Sequence, residues 1–171
     1  MMPKGGIMKK FNKIVIAVLT LCFVFALTGC SDKKAEKKYT DDVLSTMNNA
    51  TSANSSLITD IQTFLNDVTN EDARKTVLED LNTMEAEFTT LRDLSAPKRY
   101  KEAQEIFKEG AEQALNGITS YRSAIESCSE ETTKSQEAYD AFSAVIEEGD
   151  TYMTTANSKI MEAVKIADET K

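Results

Sequence analysis

Apolar residues recur along most of this chain at alternating steps of three and four positions. The first such stretch runs through Val43, Met47, Ala50, Asn54, Leu57, Ile61, Phe64 and Val68. Because a helix of 3.6 residues per turn returns to the same face at this spacing, the stretch predicts an amphipathic α-helix. A strict period of two persists nowhere, so β-strands are not expected.

Three more stretches have the same form. The second runs through Arg74, Val77, Leu81, Met84, Phe88 and Leu91. The third runs through Tyr100, Gln104, Phe107, Ala111, Ala114, Ile118, Tyr121, Ile125 and Cys128. The fourth, with one irregular step at Ile160, runs through Ala138, Phe142, Val145, Gly149, Tyr152, Ala156, Ile160, Ala163 and Ala167. Four long helices joined by short breaks predict an all-α fold, an antiparallel up-down-up-down four-helix bundle.

The breaks carry helix start and stop signals. Thr69 or Asn70 is placed to cap the second helix, and Pro97 follows its end. Thr133 with Gln136 fits a capping box, so the fourth helix is expected to begin between residues 129 and 133. The first helix is rich in Ser, Thr and Asn from residue 45 to 56, and these side chains compete for backbone hydrogen bonds. We therefore expect it to contain the least stable helical segment.

The amino-terminal pattern is different. Basic residues at positions 9, 10 and 13 precede an apolar run from Ile14 to Leu27 that only Thr20 interrupts. This is the form of a signal peptide. The run of 14 residues is shorter than the roughly 17 to 25 that span a membrane as a helix. The segment is therefore predicted to direct export rather than to remain as a transmembrane anchor.

The four residues Leu27-Thr28-Gly29-Cys30 close that run and resemble the lipobox of bacterial lipoproteins. The resemblance implies that the Cys30 thiol is diacylglycerylated, that cleavage falls between Gly29 and Cys30, and that the protein is lipid-anchored on the extracytoplasmic face of the cell membrane. The predicted organisation is a signal peptide over 1–29, with Met8 as an alternative start, then a lipidated cysteine and charged tether over 30–38, and a bundle over 39–171.

Charge and composition argue against several classes of function. Loss of the four lysines of residues 1–29 from a chain of net charge −8 leaves −12, which argues against a nucleic-acid partner. The chain contains no histidine, so the commonest general base and metal ligand is missing. Cys22 would leave with the signal peptide and Cys30 would be lipidated, which leaves Cys128 as a structural thiol with no disulfide partner. We expect neither an enzyme, nor a metal site, nor a cofactor.

The stretch from Leu94 to Ile125 carries Pro97, Tyr100, Gln104, Phe107 and Gly110 ahead of a long helix. It resembles small helical lipoproteins of Gram-positive bacteria, mostly without assigned function. Many of those carry histidine at the position of Gln104. The resemblance implies a helical fold and no activity.

Two functions fit these features. The first is a non-enzymatic, membrane-anchored binding or scaffold module that acts through protein contacts. The alternative is a sensor or carrier of a small apolar ligand at the waist of the bundle, where the candidate lining residues are Gly110, Gly117, Ile118, Tyr121, Gly149 and Tyr152. Glycines in a helix indicate either a tight approach of a neighbour or a cavity, and tight packing is the more common outcome.

Charge along the bundle axis adds one expectation. In an up-down-up-down bundle tethered at Cys30, residues 31–42, 92–105 and 160–171 lie near the membrane, and together their formal charges cancel. The negative charge would then lie in the waist and at the distal end, carried there by Glu71, Asp72, Glu130 and Glu131.

Overall fold

The computed structural model of the protein describes residues 34–170. That part of the chain is helical and contains no strand, which confirms the all-α prediction. The long helices are α1 (Lys34–Asn66), α2 (Glu71–Asp93), α3 (Lys101–Ser127) and α5 (Gln136–Glu169), with a 3₁₀ turn at Lys98–Tyr100 and a five-residue helix α4 at Glu130–Lys134.

The heptad patterns of the first three helices define the core as predicted. Every position of the first and third predicted patterns is buried, and so is every position of the second except Arg74. The largest fully buried side chains include Phe64, Phe88, Phe107 and Tyr121. Burial of a large apolar side chain contributes roughly 1.5 to 3 kcal/mol, so these apolar helix faces account for the association of the helices.

The predicted pattern of the last helix is wrong at three positions. Tyr139, Ile146 and Met153 are buried, whereas their predecessors Ala138, Val145 and Tyr152 are only half-buried. The buried positions of α5 follow uninterrupted steps of three and four, so the irregular step at Ile160 disappears. Adjacent residues lie about 100° apart on a helix, and the packing decides which of the two edges turns inward.

The helix starts are only partly as predicted. Asn70 caps α2, because its Oδ1 accepts a hydrogen bond from Ala73 N at 3.0 Å. The predicted capping box of Thr133 is wrong, since Thr133 Oγ1 donates to Glu130 O. The chain turns twice here, so Ser129 is the N-cap residue of α4 and Ser135 is that of α5.

Helix α1 also reaches into the predicted tether. Residues 34–38 belong to it, and Lys37 and Lys38 pair one turn further on with Asp41 and Asp42. Such pairs, together with good helix formers, favour a helix over an extended tether.

Contacts between neighbouring long helices pair residues in reverse order along the chain. Asn49 bonds to Glu87 and Arg74 lies over the Phe64 ring, so residue numbers rise along α1 as they fall along α2. The same reversal relates α2 to α3 through Leu91–Gln104 and Arg74–Ile125. It relates α3 to α5 through Glu109–Lys159 and Tyr121–Asp150.

Candidate functional site

The richest polar arrangement in the core lies where α1, α2 and α3 meet near residue 39. Tyr39 and Tyr100 stack with ring centroids 5.3 Å apart and an interplanar angle of 22°. Tyr39 Oη donates a 2.7 Å hydrogen bond to Gln104 Oε1. Gln104 Nε2 donates to Leu91 O at 2.9 Å, close to the end of α2. We call Tyr39, Tyr100 and Gln104 the aromatic–amide cluster; it joins three helices through one buried amide.

The chemistry of this cluster is that of fixed hydrogen bonds. Burial raises the pKa of Tyr39 above its ordinary value, and Tyr100 raises it further. The phenol therefore keeps its proton and acts as a donor. Gln104 has both amide atoms engaged, and neither amide nor phenol offers a base at neutral pH. The cluster orients helices rather than activating a nucleophile.

A small cavity adjoins the cluster. Its lining residues are Tyr39, Thr40, Val43, Tyr100, Phe107 and Ala167, and its volume is about 10 Å³. That volume is about the minimum that holds one water molecule, whereas ligand pockets measure roughly 300 to 1,000 Å³. The cavity therefore has no room for an organic ligand in this conformation.

Arg99 contacts three segments of the chain at the same end of the molecule. Its guanidinium lies 5.8 Å from the Tyr100 ring centroid. Its Nε donates to Thr170 O at 2.9 Å, beyond the end of α5, and its Nη1 lies 3.3 Å from Glu36 Oε2 on α1. The first turns of α1, the 3₁₀ turn and the end of α5 thus lie together at one end of the molecule.

The residues predicted to form a ligand waist lie along the contact of α3 with α5. A Cβ on Gly110 would lie 2.9 Å from Ile160 Cγ1, one on Gly117 would lie 3.0 Å from Met153 Cγ, and one on Gly149 would lie 2.5 Å from Tyr121 Cε1. These contacts correspond to the tight-packing alternative, because side chains occupy the space beside each glycine. Ile118 and Tyr121 are buried, whereas Tyr152 lies half-buried beside the seam. A ligand role for this group stays a prediction.

The structure reveals a second polar junction at the other end, centred on Arg74. Its Nη1 donates to Ile125 O at 2.6 Å, and its Nη2 donates to Cys128 O at 3.0 Å and Val68 O at 3.1 Å. These carbonyls lie at the end of α3 and in the break after α1, where a helix leaves acceptors unsatisfied. The sequence signal was an arginine at an apolar heptad position, which the periodicity alone could not pair with a partner.

Cys128 is buried beside that junction, as predicted for a structural thiol. It is 2% exposed. Burial raises the pKa of its thiol, although Thr132, Arg74 and Ser129 act in the opposite direction. A thiol held in its protonated form is a poor nucleophile.

Asp60 is an acidic residue that lies against a neighbouring helix. It lies half-buried on α1 opposite Asp80 of α2, and the two carboxyl groups interact. Glu87 is also half-buried and accepts a hydrogen bond from Asn49. The spacing of apolar residues placed these acids outside the buried helix faces but could not show that they face a neighbouring helix.

Within residues 34–170 no group of three or more histidine, cysteine, aspartate or glutamate side chains is placed to hold a metal ion. No helix in the same range is both long and apolar enough to cross a membrane. The predicted lipidation residue Cys30, the cleavage position at Gly29 and the export segment lie outside the described residues.

Comparisons with models of protein families, with curated proteins and with solved structures found no match to this chain.

Proposed function

We propose that the protein is an extracytoplasmic lipoprotein, anchored to the cell membrane through acylated Cys30, and that it acts as a non-enzymatic binding or scaffold module. The observation that carries the proposal is Leu27-Thr28-Gly29-Cys30 at the end of a basic and then apolar segment. The apolar run is too short to span a bilayer comfortably, so an acylated cysteine supplies the lasting attachment.

We propose an up-down-up-down arrangement for the four long helices. Support comes from the reversed contacts between α1 and α2, α2 and α3, and α3 and α5. Short connections favour antiparallel neighbours in helical bundles. In this arrangement the Tyr39–Tyr100 stack and the Arg99–Thr170 bond lie at the end that carries the anchor.

The charge distribution supports a base that faces the membrane. The three segments at that end carry no net charge, whereas the far end exposes Glu71, Asp72, Glu130 and Glu131. An anionic leaflet repels acids only within a Debye length of about 8 Å. A neutral base can therefore lie against lipid while the acidic end faces outward toward a protein partner.

A role in protein contacts rather than catalysis is favoured by the side chains that the chain lacks and by those it buries. There is no histidine, Tyr39 and Gln104 are committed to hydrogen bonds between helices, and Nη1 and Nη2 of Arg74 donate to backbone carbonyl oxygens. The alternative of an apolar ligand at the waist requires room that the glycine contacts of α3 and α5 do not leave in this conformation.

Substitution of the anchor cysteine tests the proposal directly. Cys30→Ala should leave the precursor uncleaved or release the protein from the membrane fraction, and intact mass should show loss of the acyl chains. Cys22→Ala is the matched control, because it removes a cysteine from the same segment without touching the lipobox. Unchanged fractionation and mass in Cys30→Ala would refute the lipoprotein assignment.

A photo-crosslinking experiment tests where a protein partner binds. A photo-crosslinking residue placed at Glu131, at the proposed distal end, should capture a protein in intact cells more efficiently than one placed at Lys101, at the proposed membrane end. Both positions are exposed, so a difference in accessibility does not explain the result. Equal or reversed capture would contradict a distal binding surface.

A further inference from the structure

Two carboxyl groups face each other between α1 and α2. Asp60 and Asp80 are both half-buried, and Asp80 Oδ2 is shielded from solvent. Neither group can donate a hydrogen bond while both are ionised, so Asp80 Oδ2 then lacks a partner. Burial, followed by the hydrogen bond with Asp60 and the charges of Asp60 and Glu79, raises the pKa of Asp80 to about 6.

The surroundings do not neutralise the pair. The charged groups that act on Asp80 are Asp60 from α1 and Glu79 from its own helix, and both are acidic. Lys75, the nearby base on α2, pairs with Glu79 at 3.7 Å. A shared proton is therefore the means by which the two carboxyl groups become compatible.

A second feature weakens the inner face of α1. Asn54 is 0% exposed, and neither its Nδ2 nor its Oδ1 has a hydrogen-bond partner in the described part of the chain. Buried amide atoms without partners cost free energy that docking of the helix must offset. Asn54 lies six residues before Asp60, about 9 Å along the helix axis, so both defects fall in the central part of α1.

The outer face of α1 carries a third feature that weakens this helix. Four hydroxyl side chains one turn apart each donate to the carbonyl four residues earlier, and they are Thr51, Ser55, Thr59 and Thr63. Bonds of this kind slightly destabilise and bend a helix. By contrast, α3 and α5 pack closely along glycine and alanine positions.

We propose that α1 opens more readily than the rest of the fold and that a proton shared between Asp60 and Asp80 strengthens its attachment to α2. Below about pH 6 the protonated pair bonds across the interface, and above it two negative charges face each other. Because the pKa in the folded state lies above its ordinary value, the stabilisation is present at low pH and is lost as pH rises through about 6. This regulation is independent of how the chain is anchored.

Hydrogen exchange of the full chain in detergent micelles tests the proposal. Opening constants for peptides from α1 and α5, corrected for intrinsic exchange, are compared between pH 5 and pH 7.5. The opening constant of α1 should rise with pH by several-fold and at most about tenfold, the limit set by a shift of roughly two pK units in this window. That of α5 should change much less.

Substitutions at Asp60 and Asp80 test whether this pair causes the pH dependence. Asp80→Asn keeps the shape of the protonated acid and donates to Asp60 at every pH, so the pH dependence of α1 opening should disappear. Asp60→Asn should do the same and serves if the first variant folds poorly. Glu105→Gln is the matched control, because it removes one exposed carboxylate from α3, and it should behave as the wild type.

Two results would overturn the proposal. Equal opening constants for α1 and α5 at every pH would show that α1 does not separate from the rest. Persistence of the pH dependence in the folded variants of Asp60 and Asp80 would show that another group controls it.

Discussion

Tyr39 Oη donates a 2.7 Å hydrogen bond to Gln104 Oε1, although the two residues lie 65 positions apart. The same glutamine donates to Leu91 O, so one side chain links α1, α2 and α3. The uncharged amide of Gln104 accepts from Tyr39 and donates to the carbonyl oxygens of Leu91 and Arg92, so the link contains no titrating group on the glutamine.

Gln104→Ala should therefore destabilise the protein by about 2 to 4 kcal/mol, since it creates a cavity and leaves two buried polar groups unpaired. Tyr39→Phe should cost about 1 kcal/mol, and the double variant should cost less than the sum because the two residues share one bond. Denaturant unfolding measures these values. Asn116→Ala, an exposed amide on α3, is the control and should stay within about 0.5 kcal/mol of the wild type. Additive losses would contradict a shared bond.

Arg74→Ala should cost about 2 to 4 kcal/mol, because three carbonyl oxygens lose a charged donor and the guanidinium no longer covers Phe64. Arg74→Lys should recover only part of the loss, since a single ammonium cannot reproduce the planar fork. Equilibrium unfolding by circular dichroism provides the comparison. Lys75→Ala, which alters an exposed neighbour, should have little effect. Full rescue by lysine would mean that charge alone is what matters at this position.

Gly149→Ala should lower the unfolding free energy by about 1 to 3 kcal/mol, because the new methyl group overlaps the Tyr121 ring at the contact of α3 with α5. Alanine gains about 1 kcal/mol in helix propensity over glycine, so a net loss reports the clash. Gly117→Ala should cost less, since its shortest contacts are with the flexible Met153 side chain and the backbone oxygen of Gly149 lies slightly farther away, at 3.1 Å. Melting temperatures measure the order. Ser158→Ala, on the exposed face of α5, should be nearly neutral. A stabilised Gly149→Ala would mean that the helices are not closely packed there.

Cys128 should react slowly with a thiol reagent in the native protein and rapidly in denaturant, because the thiol is buried and its pKa is raised. The reaction rate should rise with pH. Arg74→Ala should speed labelling, since Arg74 donates to the Cys128 carbonyl and holds the end of α3 in place. A disulfide-linked dimer on non-reducing gels would contradict the buried position of the thiol.

The heptad spacing by itself determined that this chain forms long amphipathic helices and which faces of α1, α2 and α3 are buried. Periodicity is a local property, and a helix buries whatever stripe is apolar. The same local reasoning named Asn70 as one of two candidate caps, with Thr69, and Cys128 as a buried residue. In α5 it was wrong at three of nine positions, because Ala138, Val145 and Tyr152 form a stripe next to the buried one.

Tertiary structure alone decided which residues meet across helices. The axial register of one helix against another pairs Tyr39 with Gln104, Asp60 with Asp80, and Arg74 with the carbonyls of α3. Partners of this kind lie up to 65 positions apart, so no spacing along the chain encodes them. The close approach of α3 to α5 likewise assigned the glycines to packing, since the sequence left both a contact and a cavity open at each one. Those long-range pairings add to the burial of the apolar faces, which the periodicity had already indicated.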